Sequence, residues 1–306
     1  MIEKIKMRDG EHLSVRIIGK GKPVMLLHGF GMESSHWLPF IIPFTYHYQF
    51  ILPDFRGFGQ SAFTPINNSC VFTNFYEDIE DIIDHYHFDQ VILGGISMGA
   101  YVSLFYLSQK KHTKIQKFLC IDQSPSFKHT KTHKFGLGLD DHEQWMSDFK
   151  NVLTLLKKYQ HEKDFSALPC DERYYAVLKF AKFASASFPS KISRFTIQTL
   201  MKLPYTQLLF LPKNWRAYYT ILNAYIKNDY NLIEVVQNIN VQTTIFVGML
   251  SELYPFESSM YLHQKIQNSK LVKFENSGHA VMMCEPVKFM IELYRFLIDD
   301  GLTGEL

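Results

Sequence analysis

The sequence predicts an α/β fold: a mostly parallel sheet covered by helices and interrupted by one helical insertion. Short apolar runs of strand length alternate with segments of helical period over residues 1–123, and again over 233–306. Between them, residues 124–232 show helical patterns and no buried-strand run. A Gly95-Ile96-Ser97-Met98-Gly99 string sits where a strand-like run gives way to a helix-like one.

The chain opens with two strands, 5–7 and 13–17, joined through the hairpin signal Asp9-Gly10. Gly19-Lys20-Gly21 then punctuates the chain before 23–27, an apolar run of the kind parallel sheets bury on both faces. A second such run, 50–52, stops at Pro53-Asp54. Thr73 opens an amphipathic helix, with Phe75, Ile79, Ile82, Ile83 and Tyr86 on one side and Glu77, Asp78, Glu80 and Asp81 outside. Strand 91–93, helix 100–109 and strand 118–121 follow. The insertion holds four expected helices, 145–159, 173–183, 192–203 and 215–226. Strand 244–247, a helix from about Ser258, strand 271–274 and a closing helix 286–297 complete the chain. The expected organisation is a discontinuous body, 1–123 and 233–306, carrying a helical cap at 124–232.

Composition narrows the function. The 306 residues are 46% hydrophobic and 20% charged, which is globular. Net charge is +2, without the one-sided excess of a nucleic-acid binder. No run of 18 apolar residues suggests a membrane span, and 203–211 is broken by Pro204, Thr206 and Gln207. The first six residues lack the apolar core of a secretory signal. Cys70, Cys120, Cys170 and Cys284 lie far apart with no zinc spacing, and Cys120 reads as a buried thiol. The expectation is a reduced, cytoplasmic protein acting on a small molecule, without metal or cofactor. Charge is uneven, however. Residues 124–232 carry +7 and the remainder −5, with the densest basic run at 128–134. A solvated face is the plain reading. Attraction to an anionic partner, such as an acyl thioester of CoA, an acyl carrier protein or acidic lipid, is the sharper one.

A tight strand-to-helix turn needs small residues on both sides of its apex, and Gly95 and Gly99 supply them around Ser97. A serine hydroxyl needs a base, and the base needs an orienting partner. Of 13 histidines, His279 is the best placed, in a loop after strand 271–274 and before the last helix. His85, His87, His112, His129, His133 and His161 fall in polar, apparently solvated stretches. An oxyanion needs N–H donors, and the backbones of Met98 and Phe30, the latter just after strand 23–27, are the candidates. No G-x-G-x-x-G string supports a dinucleotide.

Taken together, these segments resemble the α/β-hydrolase superfamily, in the branch with a helical cap between strands six and seven. The resemblance rests on His28-Gly29, on Asp54 through Ser61, on the Ser97 turn, and on Gly278-His279 with Glu285-Pro286 beyond it. It implies an eight-stranded sheet, Ser97 as nucleophile, His279 as base, and Phe30 and Met98 as oxyanion donors. A serine nucleophile speaks against the epoxide hydrolase and dehalogenase chemistries of the same fold. One departure stands out. Most relatives carry the triad acid three residues past a Gly that ends strand seven, and here that position holds Ser251 after Gly248. Asp122, at the end of strand six, is the favoured replacement. Glu252, one residue late and directed the other way if the chain is extended, is the alternative.

The expected activity is hydrolysis of a carboxylic ester through an acyl-enzyme. The aromatics of the insertion, Phe180, Phe183, Phe188, Phe195, Tyr205, Phe210, Trp215, Tyr218, Tyr219 and Tyr225, would divide between the cap's own core and seam and a pocket for a hydrophobic acyl or alcohol part. Competing readings use the same residues on thioesters, lactones, C–C bonds or in perhydrolysis, or make the chain a non-catalytic ligand-binding protein.

Overall fold

The computed structural model describes residues 1–67, 71–109, 112–131, 133–138, 141–159, 161–162, 165–203, 214–227 and 231–299. Cys70, residues 204–211 and, within them, Tyr205 and Phe210 lie outside the described residues. The first two strands, β1 (Ile2–Lys6) and β2 (His12–Gly19), form the expected hairpin, with Gly10 at φ 89° in its turn. Next come β3 (Lys22–Leu27), β4 (Tyr48–Pro53), β5 (Val91–Ile96), β6 (Ile115–Ile121), β7 (Gln242–Gly248) and β8 (Ser269–Phe274). They make one eight-stranded sheet in the order β1-β2-β4-β3-β5-β6-β7-β8. β2 runs antiparallel to β1 and β4, and every other pair is parallel.

The described helices of ten or more residues are α1 (Val71–His85), α2 (Met98–Gln109), α3 (His142–Lys158), α4 (Cys170–Ser185), α5 (Lys191–Leu200), α6 (Trp215–Lys227), α7 (Phe256–Lys265) and α8 (Pro286–Ile298). Strand alternation sends successive side chains to opposite faces of the sheet. Met25 and Leu27 join Ile79, Ile82, Val102 and Leu104 from α1 and α2 in one apolar layer. Val24 and Leu26 join Trp37, Ile41 and, from α8, Phe289 and Leu293 in the other. Each such fully buried side chain contributes roughly 1.5–3 kcal/mol.

α3 to α6 all fall between β6 and β7, where only helices were expected. They hold an apolar cluster of their own, including Val152, Leu156, Val177 and Trp215. Trp145 and Phe149 of α3 and Ile221 of α6 instead reach the layer shared with α1 and α2. Boundaries moved slightly: α1 begins at Val71 rather than Thr73, and α5 stops at Leu200 rather than 203. One residue is corrected outright. His133 is 1% exposed, its ring edge-on to Phe135 and Tyr261, because α7 packs over a stretch whose local polarity suggested solvent. Among the described residues no helix is long and apolar enough to cross a membrane.

Candidate active site

The carboxyl ends of β3, β5, β6 and β8 deliver the predicted residues to one edge of the sheet, where open α/β sheets place their ligands. Ser97 follows β5 directly and sits at φ 53°, a conformation that non-glycine residues adopt only when their surroundings impose it. The surroundings are explicit. A Cβ on Gly99 would lie 2.7 Å from the carbonyl oxygen of His28, and one on Gly95 would lie 2.6 Å from the backbone nitrogen of Ala100. With both positions bare, β5, its turn and α2 close on each other and on the end of β3. Ser97 N–H donates to Ile121 C=O at 3.0 Å, and the Gln123 side-chain amide donates to Ser97 C=O at 2.9 Å.

His279 lies in the loop after β8, nearly buried. Its Nδ1 is 2.6 Å from Asp122 Oδ2. Asp122 itself is buried at φ 44°, and its carboxylate accepts two further bonds: from Gly248 N–H to Oδ1 at 2.9 Å, and from Ser251 Oγ to Oδ2 at 2.8 Å. Three donors therefore converge on one carboxylate, and they hold it in one orientation. The His279 loop is anchored separately. Glu285 Oε2 accepts from Asn276 N–H at 3.0 Å and from Ser277 Oγ at 2.6 Å.

Glu252, the alternative acid, is drawn elsewhere. It is exposed and pairs with Arg194 of α5. The chain turns at this point rather than running on as a strand, and it is Ser251, not Glu252, that reaches Asp122.

Met98 is the first residue of α2, so its N–H has no partner within the helix. Phe30 lies in the loop after β3, which is shaped by a fully buried His28. His28 Nε2 accepts from Phe55 N–H at 3.0 Å, so its Nδ1 carries the proton that goes to Gly29 C=O at 2.8 Å. Burial pushes the His28 imidazole down to about 4, which keeps it neutral in this role. Asp54 braces the neighbouring loops, accepting from Ser34 N–H at 2.6 Å and Gln60 N–H at 2.8 Å.

Ser97, His279 and Phe30 open onto one cavity of about 310 Å³. Its remaining walls are largely apolar, with Phe180, Phe183, Phe188 and Tyr218 contributed by the segment between β6 and β7. Phe30 meets Phe183 and Tyr218 edge-on, with ring centroids 6.3 and 4.7 Å apart. Phe195, expected in the pocket, points to solvent instead. A second cavity, of about 530 Å³, lies beyond Ser251 among Lys182, Arg194 and Glu252, and Ser97 is not on its wall. Ser251, Gln123 and Glu285 were not expected to support the site. Ser251 had a signal in its place in the register where the acid normally stands, and Glu285 in its place among the residues that carry the resemblance, though neither pointed to these bonds.

The sequence matches a family described as "alpha/beta hydrolase fold" over residues 22–286. It is 24% identical to the AB hydrolase superfamily protein YisY of Bacillus subtilis (strain 168), over 93% of this chain and 94% of that one. It is 23% identical to 2-hydroxy-6-oxo-2,4-heptadienoate hydrolase of Pseudomonas putida (strain F1), over 99% and 97%. Among solved structures, an esterase from Exiguobacterium antarcticum superposes with a TM-score of 0.73 at 22% identity, covering 97% of this chain and 99% of that one. At that identity the superposition speaks to the fold alone.

Proposed function

The chain belongs to the α/β-hydrolase family, and on that premise we propose that it is a serine hydrolase cleaving a carboxylic ester with a hydrophobic acyl or alcohol part. Ser97 Oγ attacks the carbonyl carbon as His279 takes its proton, and the Phe30 and Met98 N–H groups hold the oxyanion. Asp122 keeps the His279 Nδ1–H directed at itself, leaving Nε2 as the base. The alcohol departs with the proton from His279, and water then attacks the acyl-enzyme by the same relay. The observation that carries this reading is the 2.6 Å contact between Asp122 and His279, at a cavity that both His279 and Ser97 line.

Residues 124–232 act as a cap on the body formed by 1–123 and 233–306. The separate apolar cluster of the insertion and its aromatic wall over Ser97 support that division. The unpaired Cys120, Cys170 and Cys284 support a reducing compartment, the cytoplasm.

A fluorophosphonate probe tests the chemistry. It labels the wild-type chain at Ser97, and labelling is lost in Ser97→Ala and His279→Ala. A folded wild-type chain left unlabelled would refute the proposal. The same residues could cut a C–C bond, a reading favoured by the likeness to the heptadienoate hydrolase over almost the whole chain. A panel of p-nitrophenyl esters, thioesters, lactones and dienoate substrates separates the two by relative kcat/KM.

A further inference from the structure

α5 turns Ser193, Arg194, Ile197 and Gln198 inward, with Ile197 against the apolar cluster of the insertion. Gln198 Nε2 donates to Ser185 Oγ at 2.9 Å, and Arg194 pairs with Glu252 while donating to the carbonyl oxygens of Phe188 and Pro189. Its outward side carries Ile192 and Phe195, 79% and 72% exposed, then Leu200 at 44%, with Leu203 just beyond at 50%. No residue of α5 is buried. At 3.6 residues per turn, Ile192, Phe195 and Leu200 share one side. The inward side is thus only partly apolar, while large apolar side chains stand exposed on the outward side beside Thr196 and Thr199, and such exposure marks a surface that meets something.

Charge identifies what it meets. Lys191 and Lys202 flank the stripe, and both are exposed. Residues 173–228 contain nine Lys and Arg and no Asp or Glu. An apolar stripe bordered by cations matches the interface of an anionic bilayer, where apolar side chains enter the acyl boundary and lysines meet the headgroups. A second copy of the chain fits poorly. It would set two predominantly cationic surfaces against each other, and a few side chains fall far short of the roughly 800 Å² each partner gives a stable dimer.

We propose that α5 lays Ile192, Phe195 and Leu200 into the surface of an anionic lipid bilayer, and that the Ser97 cavity draws its ester from that membrane. The second half rests on the ester-hydrolase reading. It is supported by Phe188 and Met201, which stand just before and just after α5 and line the cavity over Ser97. Docking would therefore bring the cavity wall to the lipid.

The test uses the full-length Ser97→Ala chain, so that binding is read without turnover. It is sedimented with vesicles of phosphatidylcholine alone, or with about 30 mol% phosphatidylserine, at about 0.1 M salt. Phosphatidylserine is expected to raise binding about tenfold or more. That gain is expected to vanish in Ile192→Ser/Phe195→Ser and in Lys191→Glu/Lys202→Glu. In the active chain, Ile192→Ser/Phe195→Ser leaves turnover of soluble p-nitrophenyl butyrate and thermal unfolding unchanged. Equal sedimentation of parent and variants, or none with either vesicle, overturns the proposal. So does a parent that runs as a dimer and becomes a monomer on Ile192→Ser/Phe195→Ser, with vesicle binding unaltered. Vesicle binding, where the wild-type chain is not labelled by fluorophosphonate, supports docking and overturns only the substrate half.

Discussion

Moving the proposed triad acid tests the site most directly. In Asp122→Asn the side chain keeps its shape, but one carboxylate oxygen becomes an amide NH₂. Oδ2 faces two donors, His279 Nδ1 at 2.6 Å and Ser251 Oγ at 2.8 Å, while Oδ1 receives Gly248 N–H at 2.9 Å. An amide cannot accept at both oxygens' positions. If its carbonyl stays with Gly248, the NH₂ confronts the imidazole and favours the tautomer protonated on Nε2. That tautomer cannot take the proton of Ser97. The expected fall in kcat is about 10³–10⁴-fold, or about 4–5.5 kcal/mol of transition-state stabilisation. The variant should still unfold cooperatively near the wild-type temperature. Ser251 then offers a second seat, since its Oγ already lies within hydrogen-bond reach of the oxygen that His279 uses. Asp122→Asn/Ser251→Asp should therefore recover tenfold or more of the loss, on the order of 1.4 kcal/mol at least. Ser251→Asp alone should lose activity, because two adjacent carboxylates share one proton at the cost of the imidazole. The assay is single-turnover acylation with a p-nitrophenyl ester, so that chemistry is separated from release. An Asp122→Asn chain within tenfold of wild type would refute the reasoning, as would a Glu252→Gln chain equally impaired.

Three further outcomes follow from the same geometry. Glu252→Gln should change kcat/KM less than threefold and stability by under about 1 kcal/mol, since its pair with Arg194 is exposed. Gly99→Ala should cost more than about 3 kcal/mol in urea unfolding, because its Cβ meets the backbone of Leu27 and His28, which cannot yield without opening the Ser97 turn. His28 should make stability acid-sensitive. It titrates at about 4 in the fold and near 6.5 when unfolded, so the unfolded chain binds the extra proton between those values. Its contribution is complete above pH 6.5 and falls by about 1.4 kcal/mol per pH unit as pH drops toward 4. His28→Gln should flatten that slope by one proton, read from urea midpoints across pH 4–7.

What could be read from the chain depended on the range of the interaction. Ser97 was legible because its requirement is local: the glycines that permit the turn lie two residues to either side. The strands were legible through apolar run length, and the insertion through the absence of such runs. The choice between Asp122 and Glu252 was not decidable locally. It turns on a meeting of residues 157 positions apart, from β6 and the loop after β8. The arrival of Ser251 on Asp122 depends on the same three-dimensional encounter. His133 misled for a related reason, as its neighbours in sequence are Lys and Thr while its neighbours in space are Phe135 and Tyr261. Phe195 misled in the opposite sense. Aromatic content alone does not say which side of a helix faces the protein.

The contact between the insertion and the loop of the base has a mechanical consequence. Ala280 N–H donates to Ser187 C=O at 3.0 Å, and a side chain on Gly278 would lie 2.6 Å from that same oxygen. The two residues flanking His279 are thus riveted to the roof of the cavity. Lifting the roof at this point would drag the imidazole with it and break a directional bond. At the opposite wall Phe30 meets Phe183 and Tyr218 through ring edges, and α6, which carries Tyr218, is tied to the body by the buried Ile221 and by the bond from the Asn214 side-chain amide to Ala62 C=O at 2.7 Å. The roof is therefore tied down on both sides of Ser97, beside His279 and along α6.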